Sequence, residues 1–187
     1  MTLASIVFVA FLRTGPVVES ADVTLVTGAG ASGAARFVLA GALCGLLAAV
    51  VMDLPMSKQA DGFTPAYVAA AVLRRVAPES VSFAEAVVVH HVTGALAGVL
   101  YTLLYLAVAV VLPPLSAVGG VGLLPHLAAT VGVSAFVYSF FAHLVLPRAG
   151  RRIYEERATA VRGQWLRSTL VFGVVLAGVA PTLTTLV

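Results

Sequence analysis

Asparagine is missing from the chain and cysteine occurs once, at Cys44. Without the first there is no N-glycosylation acceptor, and with only one of the second there is neither an internal disulfide nor a thiolate cluster for structural zinc. Charge is scarce as well. Only 10% of residues are charged, with none between Ala86 and Pro147 and none after Arg167. A soluble domain carries about 25% charged residues, so uncharged runs of this length exclude a watery surface and match lipid. The sequence also lacks a Gly-x-Ser-x-Gly elbow, a Cys–His pair, a Gly-Lys-Ser/Thr phosphate loop and His-Glu-x-x-His or Glu-x-x-His spacing. Those absences turn the reading away from an enzyme.

What is abundant is apolar: 60% of the 187 residues, with a mean hydropathy of +1.05. Four runs approach or exceed the roughly 20 residues that cross a bilayer core. They predict an all-α, polytopic membrane protein with spans at 37–56, 84–112, 126–146 and 168–187. Residues 36–187 form the membrane domain, and short amphipathic helices are expected in the loops. The second run organises the rest. Ser82-Phe83-Ala84-Glu85 is a capping-box pattern at a helix start. At 100° per residue His90, Gly94, Gly98, Tyr101 and Tyr105 then share one stripe, predicted to face other helices. Gly41 and Gly45 in the first span, Gly94 and Gly98 in the second and Gly173 in the fourth are the expected close-packing positions. In the third span the same wheel puts Gly132, Phe136, Ser139 and His143 on one stripe.

Residues 1–35 read as a weakly structured or interfacial lead. Met1 to Leu12 is apolar but too short for an ordinary span, and it lacks a basic n-region and a clear cleavage site. Val23 to Gly33 resembles the dinucleotide-binding fingerprint of Rossmann-type oxidoreductases, with Asp53 about 20 positions on. That fingerprint needs a βαβ unit, and only long apolar runs follow. The stretch is read as a Gly/Ala/Ser approach to the first span, with no cofactor bound there.

Between the spans, Thr64 is the expected N-cap of a short helix with Pro65 at its first position and Arg74 and Arg75 at its end. This helix is too short and too basic to cross, and lies at the membrane surface. Pro113 to Pro125 is a charge-free turn. From Arg148 to Arg167, Tyr154, Ala158, Val161 and Trp165 recur at helical spacing, which predicts an interfacial helix with its aromatics at headgroup level. The loop at 57–83 holds Lys58, Arg74 and Arg75, and the loop at 148–167 holds six arginines. By the positive-inside rule both are cytoplasmic and both termini lie outside the cell (inner) membrane, although Arg13 and Arg36 pull the other way. The net charge of +3 and pI near 9.4 point to anionic lipid headgroups and not to nucleic acid, because the arginines flank apolar spans and do not form an aromatic-interleaved basic face.

His90-His91-Val92-Thr93-Gly94-Ala95-Leu96-Ala97-Gly98-Val99-Leu100-Tyr101, with the ending Phe141-Ala142-His143-Leu144-Val145-Leu146-Pro147, resembles a group of small, uncharacterised four-span prokaryotic membrane proteins. The resemblance runs over residues 37–187 and implies a fold, with no activity attached.

Asp53, His90, His91 and His143 fall at similar depth on the basic side of the bundle and form the candidate polar cluster. Intramembrane ionisable groups are costly, which makes them a functional hypothesis. Imidazoles with a carboxylate suit a divalent metal, histidines on facing helices suit haem iron, and the set also suits a proton relay. Against this, adjacent histidines project about 100° apart on a regular helix, which disfavours one metal taking both. Asp53 could instead cap the break at Pro55 or pair with Lys58. His126, at the far end of its span, reads as interfacial, and Tyr101, Tyr105 and Ser139 as packing and hydrogen-bonding residues. Two functions therefore stand: an accessory or self-associating subunit, as a homo-oligomer or within a larger complex, motivated by the glycine pairs; or a small transporter or metal, haem or proton-relay module using the cluster. The topology is checked by cysteine labelling: Ser116→Cys should react with an impermeant external reagent and Gly163→Cys should be protected, and the opposite pattern would invert the protein.

Overall fold

A computed structural model describes residues 30–184. The expectations for Met1 to Leu12 and for the glycine-rich stretch before Gly30 lie outside the described residues. Helix α1 spans Gly30–Ser57, α2 Thr64–Arg74, and α3 Phe83–Ala109. Helix α4 spans Leu123–Ser139 and continues through a π-helical stretch, Phe140–Val145, into the short α5, Leu146–Ala149. Helix α6 spans Arg152–Thr184. Among the described residues four units are long and apolar enough to cross a membrane: Ala35–Ser57, Phe83–Ala109, Leu123–Ala149 and Arg152–Leu183. The all-α, four-span architecture expected from hydropathy is present. In sequence order each span packs on the next and the fourth closes on the first, and the diagonal pairs touch little.

The termini of these elements follow local chemistry. At the start of α3, Ser82 Oγ accepts from the Glu85 amide while Glu85 Oε2 accepts from the Ser82 amide at 2.8 Å. Arg74 adds an ion pair to Glu85 at 2.6 Å, which ties the end of α2 to the start of α3. Helix α2 begins at Thr64 with Phe63 as cap residue, one position before the expected cap, and its left-handed C-cap is Arg75. Its alanine face, Ala66, Ala70 and Ala71, buries against Val81 and Ala86. The segment thus docks on the bundle as well as staying short of a crossing.

Four features differ from the sequence-based expectations. The turn at 113–125 contains a small antiparallel hairpin, β1 (Ala117–Val118) and β2 (Val121–Gly122), because Gly119 and Gly120 supply the two positive φ angles that a tight two-residue turn requires. The fourth span begins at Arg152 in a helix continuous through residue 168, kinked at Arg157. Val161 and Trp165 therefore face the core, with Trp165 packing on Phe141 at 5.3 Å. The third-span stripe of Gly132, Phe136, Ser139 and His143 is not the buried face: the last three are exposed, while His126, Ala129, Thr130 and Val133 are buried. The wheel assigned the interior to the stripe holding the glycine, whereas the buried one carries the alanine and threonine. The π-helical turn shifts the phase again at the end of the span, putting Phe141 and Ala142 inside and His143 outside. Pro147 accounts for that turn, since it cannot donate to the His143 carbonyl four residues earlier and its ring crowds it.

The closest helix contact is between α1 and α3. A Cβ on Gly41 would strike Thr102 Oγ1 and the Gly98 carbonyl, one on Gly45 the backbone of Gly94 and Gly98, and one on Gly94 the Ala49 methyl. Gly173 is similarly close to Ser134 Oγ of α4, whereas Gly178 faces open space. A one-carbon insertion into the seam has only backbone to push against, so Gly45→Ala should destabilise the protein by on the order of 1–3 kcal/mol. Gly178→Ala should be neutral or slightly stabilising. Thermal unfolding in detergent checks both, and equal melting temperatures for the two variants would contradict the seam.

Candidate functional site

The glycine seam sets the position of the polar residues one turn beyond it. Gly41, Gly45, Ala49 and Asp53 recur every four residues along α1, and His90, Gly94, Gly98 and Thr102 do the same along the antiparallel α3. Because the small residues let the backbones touch, His90 reaches across the interface. Its Nε2 lies 3.2 Å from the Ala49 carbonyl and 3.4 Å from Asp53 Oδ1. A carbonyl oxygen only accepts, so His90 Nε2 carries the hydrogen in this arrangement. His91 comes from the flank of the same helix and places Nε2 2.8 Å from Asp53 Oδ2. The two rings are 5.4 Å apart, centroid to centroid.

One carboxylate thus stands against two neighbouring imidazoles. The 100° offset expected to separate His90 and His91 is overcome because Asp53 lies on the flank between them and both side chains lean toward it. Donor atoms of Asp53, His90 and His91 all lie within 4.8 Å of one another. His90 is buried, with 6% of its side chain exposed, while Asp53 and His91 retain 29% and 26%. Asp53 Oδ1 is itself buried and accepts no hydrogen bond from the described residues. Helix α1 runs through Pro55 to end at Ser57, and Asp53 turns to the histidines while Lys58 stays exposed.

His143 is not part of this group. It is exposed within the π-helical stretch, with its ring against Tyr138 at 5.9 Å. That placement removes the geometry for haem, which called for histidines on facing helices: His90 and His91 share one helix. Near the opposite ends of the spans, His126 is buried within the bundle. Its Nδ1 is 2.6 Å from the Tyr101 hydroxyl and its Nε2 3.0 Å from the Ala177 carbonyl, so Nε2 donates and Nδ1 accepts. Tyr105 accepts from the Gly122 amide at 3.0 Å and so holds the hairpin end. The signal for this second group was present in the sequence: His126, Thr130 and Val133 lie at helical spacing, as Tyr101 and Tyr105 do on α3.

At the basic end, Asp61 is also buried and was not singled out by the sequence. Arg157 Nη1 binds its Oδ1 at 2.6 Å, and its amide donates to Gln164 Oε1 at 2.7 Å. Gln59 donates to Ser168 Oγ at 3.2 Å. These contacts fasten the loop after α1 to the kinked start of α6.

Family models, curated proteins and solved structures yield no match to the chain. The fold itself defines the class: four apolar helices of spanning length make this a multi-pass integral membrane protein. The His126 network is a structural element of that bundle. Replacing His126 by Ala should lower stability by about 1–2 kcal/mol, with interhelical hydrogen bonds in bilayers worth about 0.6 and up to about 1.7 kcal/mol each. Thermal melts in detergent measure this, and an unchanged midpoint would speak against the network.

Proposed function

We propose that the protein is a small membrane module that handles a cation at Asp53, His90 and His91, on the cytoplasmic side of the cell membrane. The observation that carries this reading is the single carboxylate facing two adjacent imidazoles across two apolar helices whose other charged residues, Arg36 and Glu85, lie near the helix starts. A charged side chain in the middle of a bilayer costs roughly 2.5–3.5 kcal/mol on insertion scales, and such groups usually line pathways or bind ions. The orientation rests on Lys58, Arg74, Arg75 and the six arginines from Arg148 to Arg167, which gather at the end of the bundle nearest the cluster. Anionic headgroups are the proposed partners of that basic band. The likeness to small four-span prokaryotic membrane proteins is compatible with the reading and adds no activity to it.

The other reading, an accessory or self-associating subunit, keeps the scarcity of ionisable groups elsewhere in the spans as its support and draws less from the glycine pairs. Gly41, Gly45, Gly94 and Gly98 face one another within a single chain and are not free to form a seam with a second one. Reconstitution into sealed vesicles tests the proposal. Vesicles containing the protein should pass protons or divalent zinc faster than protein-free vesicles, and Asp53→Asn should return the flux to the protein-free level. If neither cation moves, or if Asp53→Asn is as active as the parent, the proposal is wrong.

A further inference from the structure

We infer that the cation is a divalent transition metal of the zinc class, held by Asp53, His90 and His91 with one coordination position left open. This rests on the preceding proposal and names the substrate class of the same site. The donor set comes first. Two imidazole nitrogens and one carboxylate oxygen suit zinc, nickel or ferrous iron, whereas magnesium and calcium seek shells composed of oxygen.

Spacing points the same way. Zinc binds nitrogen and oxygen at about 2.0–2.2 Å, so tetrahedral ligands stand about 3.3 Å apart. Here the carboxylate oxygens lie 3.4 and 2.8 Å from the two Nε2 atoms, and all three donor atoms fall within 4.8 Å of one another. The third observation is Asp53 Oδ1, a buried carboxylate oxygen that no described residue satisfies with a hydrogen bond. Such an atom has a vacant lone pair directed into the cluster, and a metal ion would occupy it.

Coordination rearranges hydrogens in a defined way. His90 Nε2 now faces the Ala49 carbonyl, and His91 Nε2 the Asp53 carboxylate, as donors; as ligands both must present a lone pair, so the hydrogen of each neutral ring moves to Nδ1. No electron transfer or bond to carbon is involved. Three protein ligands are the number found where zinc keeps a water or an exchanging ligand in the fourth position. The partial exposure of Asp53 and His91 gives that position a route outward.

The test is equilibrium binding to the full-length protein in detergent after removal of bound metals by chelation. Cobalt(II) serves as the spectroscopic probe and zinc as competitor. One cobalt per chain should bind, with the ligand-field absorption of a low-coordinate nitrogen and oxygen site, and zinc but not magnesium should displace it. Asp53→Asn and His91→Gln should each weaken binding by more than about 100-fold, since even outer-shell changes cost about 10–100-fold. His143→Ala should bind as the parent does. Two substitutions at different ligands are used so that one poorly folding variant does not decide the outcome. Absence of stoichiometric cobalt, or binding indifferent to both ligand variants, overturns the inference. If cobalt fails to bind while Asp53→Asn still abolishes proton flux in vesicles, the metal assignment falls alone; if flux is absent as well, the cation-handling proposal falls with it.

Discussion

The structure depends on how closely two backbones can approach. Hydrocarbon supplies no hydrophobic drive between helices, so association inside a bilayer relies on van der Waals contact and on hydrogen bonds across the interface. Helices α1 and α3 meet where Gly41 and Gly45 lie against Gly94 and Gly98, with only the Thr102 and Ala49 side chains beside the touching backbones. That proximity lets the His90 side chain reach the Ala49 carbonyl on the opposite helix. Larger residues at the four glycines would hold the histidines and Asp53 apart.

Polar groups sit in two bands, and most of their members are paired, with Asp53 Oδ1 an exception. Toward the basic end, Asp53 meets His90 and His91, Asp61 meets Arg157, and Gln59 meets Ser168. Toward the other end, His126 joins Tyr101 to the Ala177 carbonyl and Tyr105 holds Gly122. Between the bands the core is aliphatic and aromatic, with Ala48, Val133, Phe172 and Leu176 buried. Unsatisfied polar groups cost several kcal/mol in hydrocarbon, and this explains why the buried histidine far from the cluster makes bonds through both ring nitrogens.

Much of this was legible from the chain because hydropathy and helical period are strong, local signals. Span number, the capping box at Ser82 and Glu85, and the inward stripe of α3 all follow from residues within a few turns of one another. The partners of that stripe were harder to read. Nothing local shows that Gly41 and Gly45 meet Gly94 and Gly98 instead of a second molecule, nor that Asp53 turns toward His91 and away from Lys58. The third span misled for a physical reason: two of its faces carry small or polar residues, and the π-helical turn before Pro147 breaks the period on which a wheel depends. His143 was drawn into the cluster by depth alone. Asp61 escaped notice because a loop carboxylate near arginines looks solvated until the kink at Arg157 closes over it.

The four-residue repeat of the α1–α3 interface also bears on how the two helices are kept in step. A ladder with a period near one turn is almost indifferent to a slip of about 5.4 Å, because small residues would again meet small residues. The ends of the ladder are not indifferent. Thr102 occupies the space beside Gly41 at one end, and the imidazole pair grips Asp53 at the other. Alignment along this interface is therefore encoded by its few polar rungs, and Asp53 acts as the detent that stops one helix from ratcheting past the other.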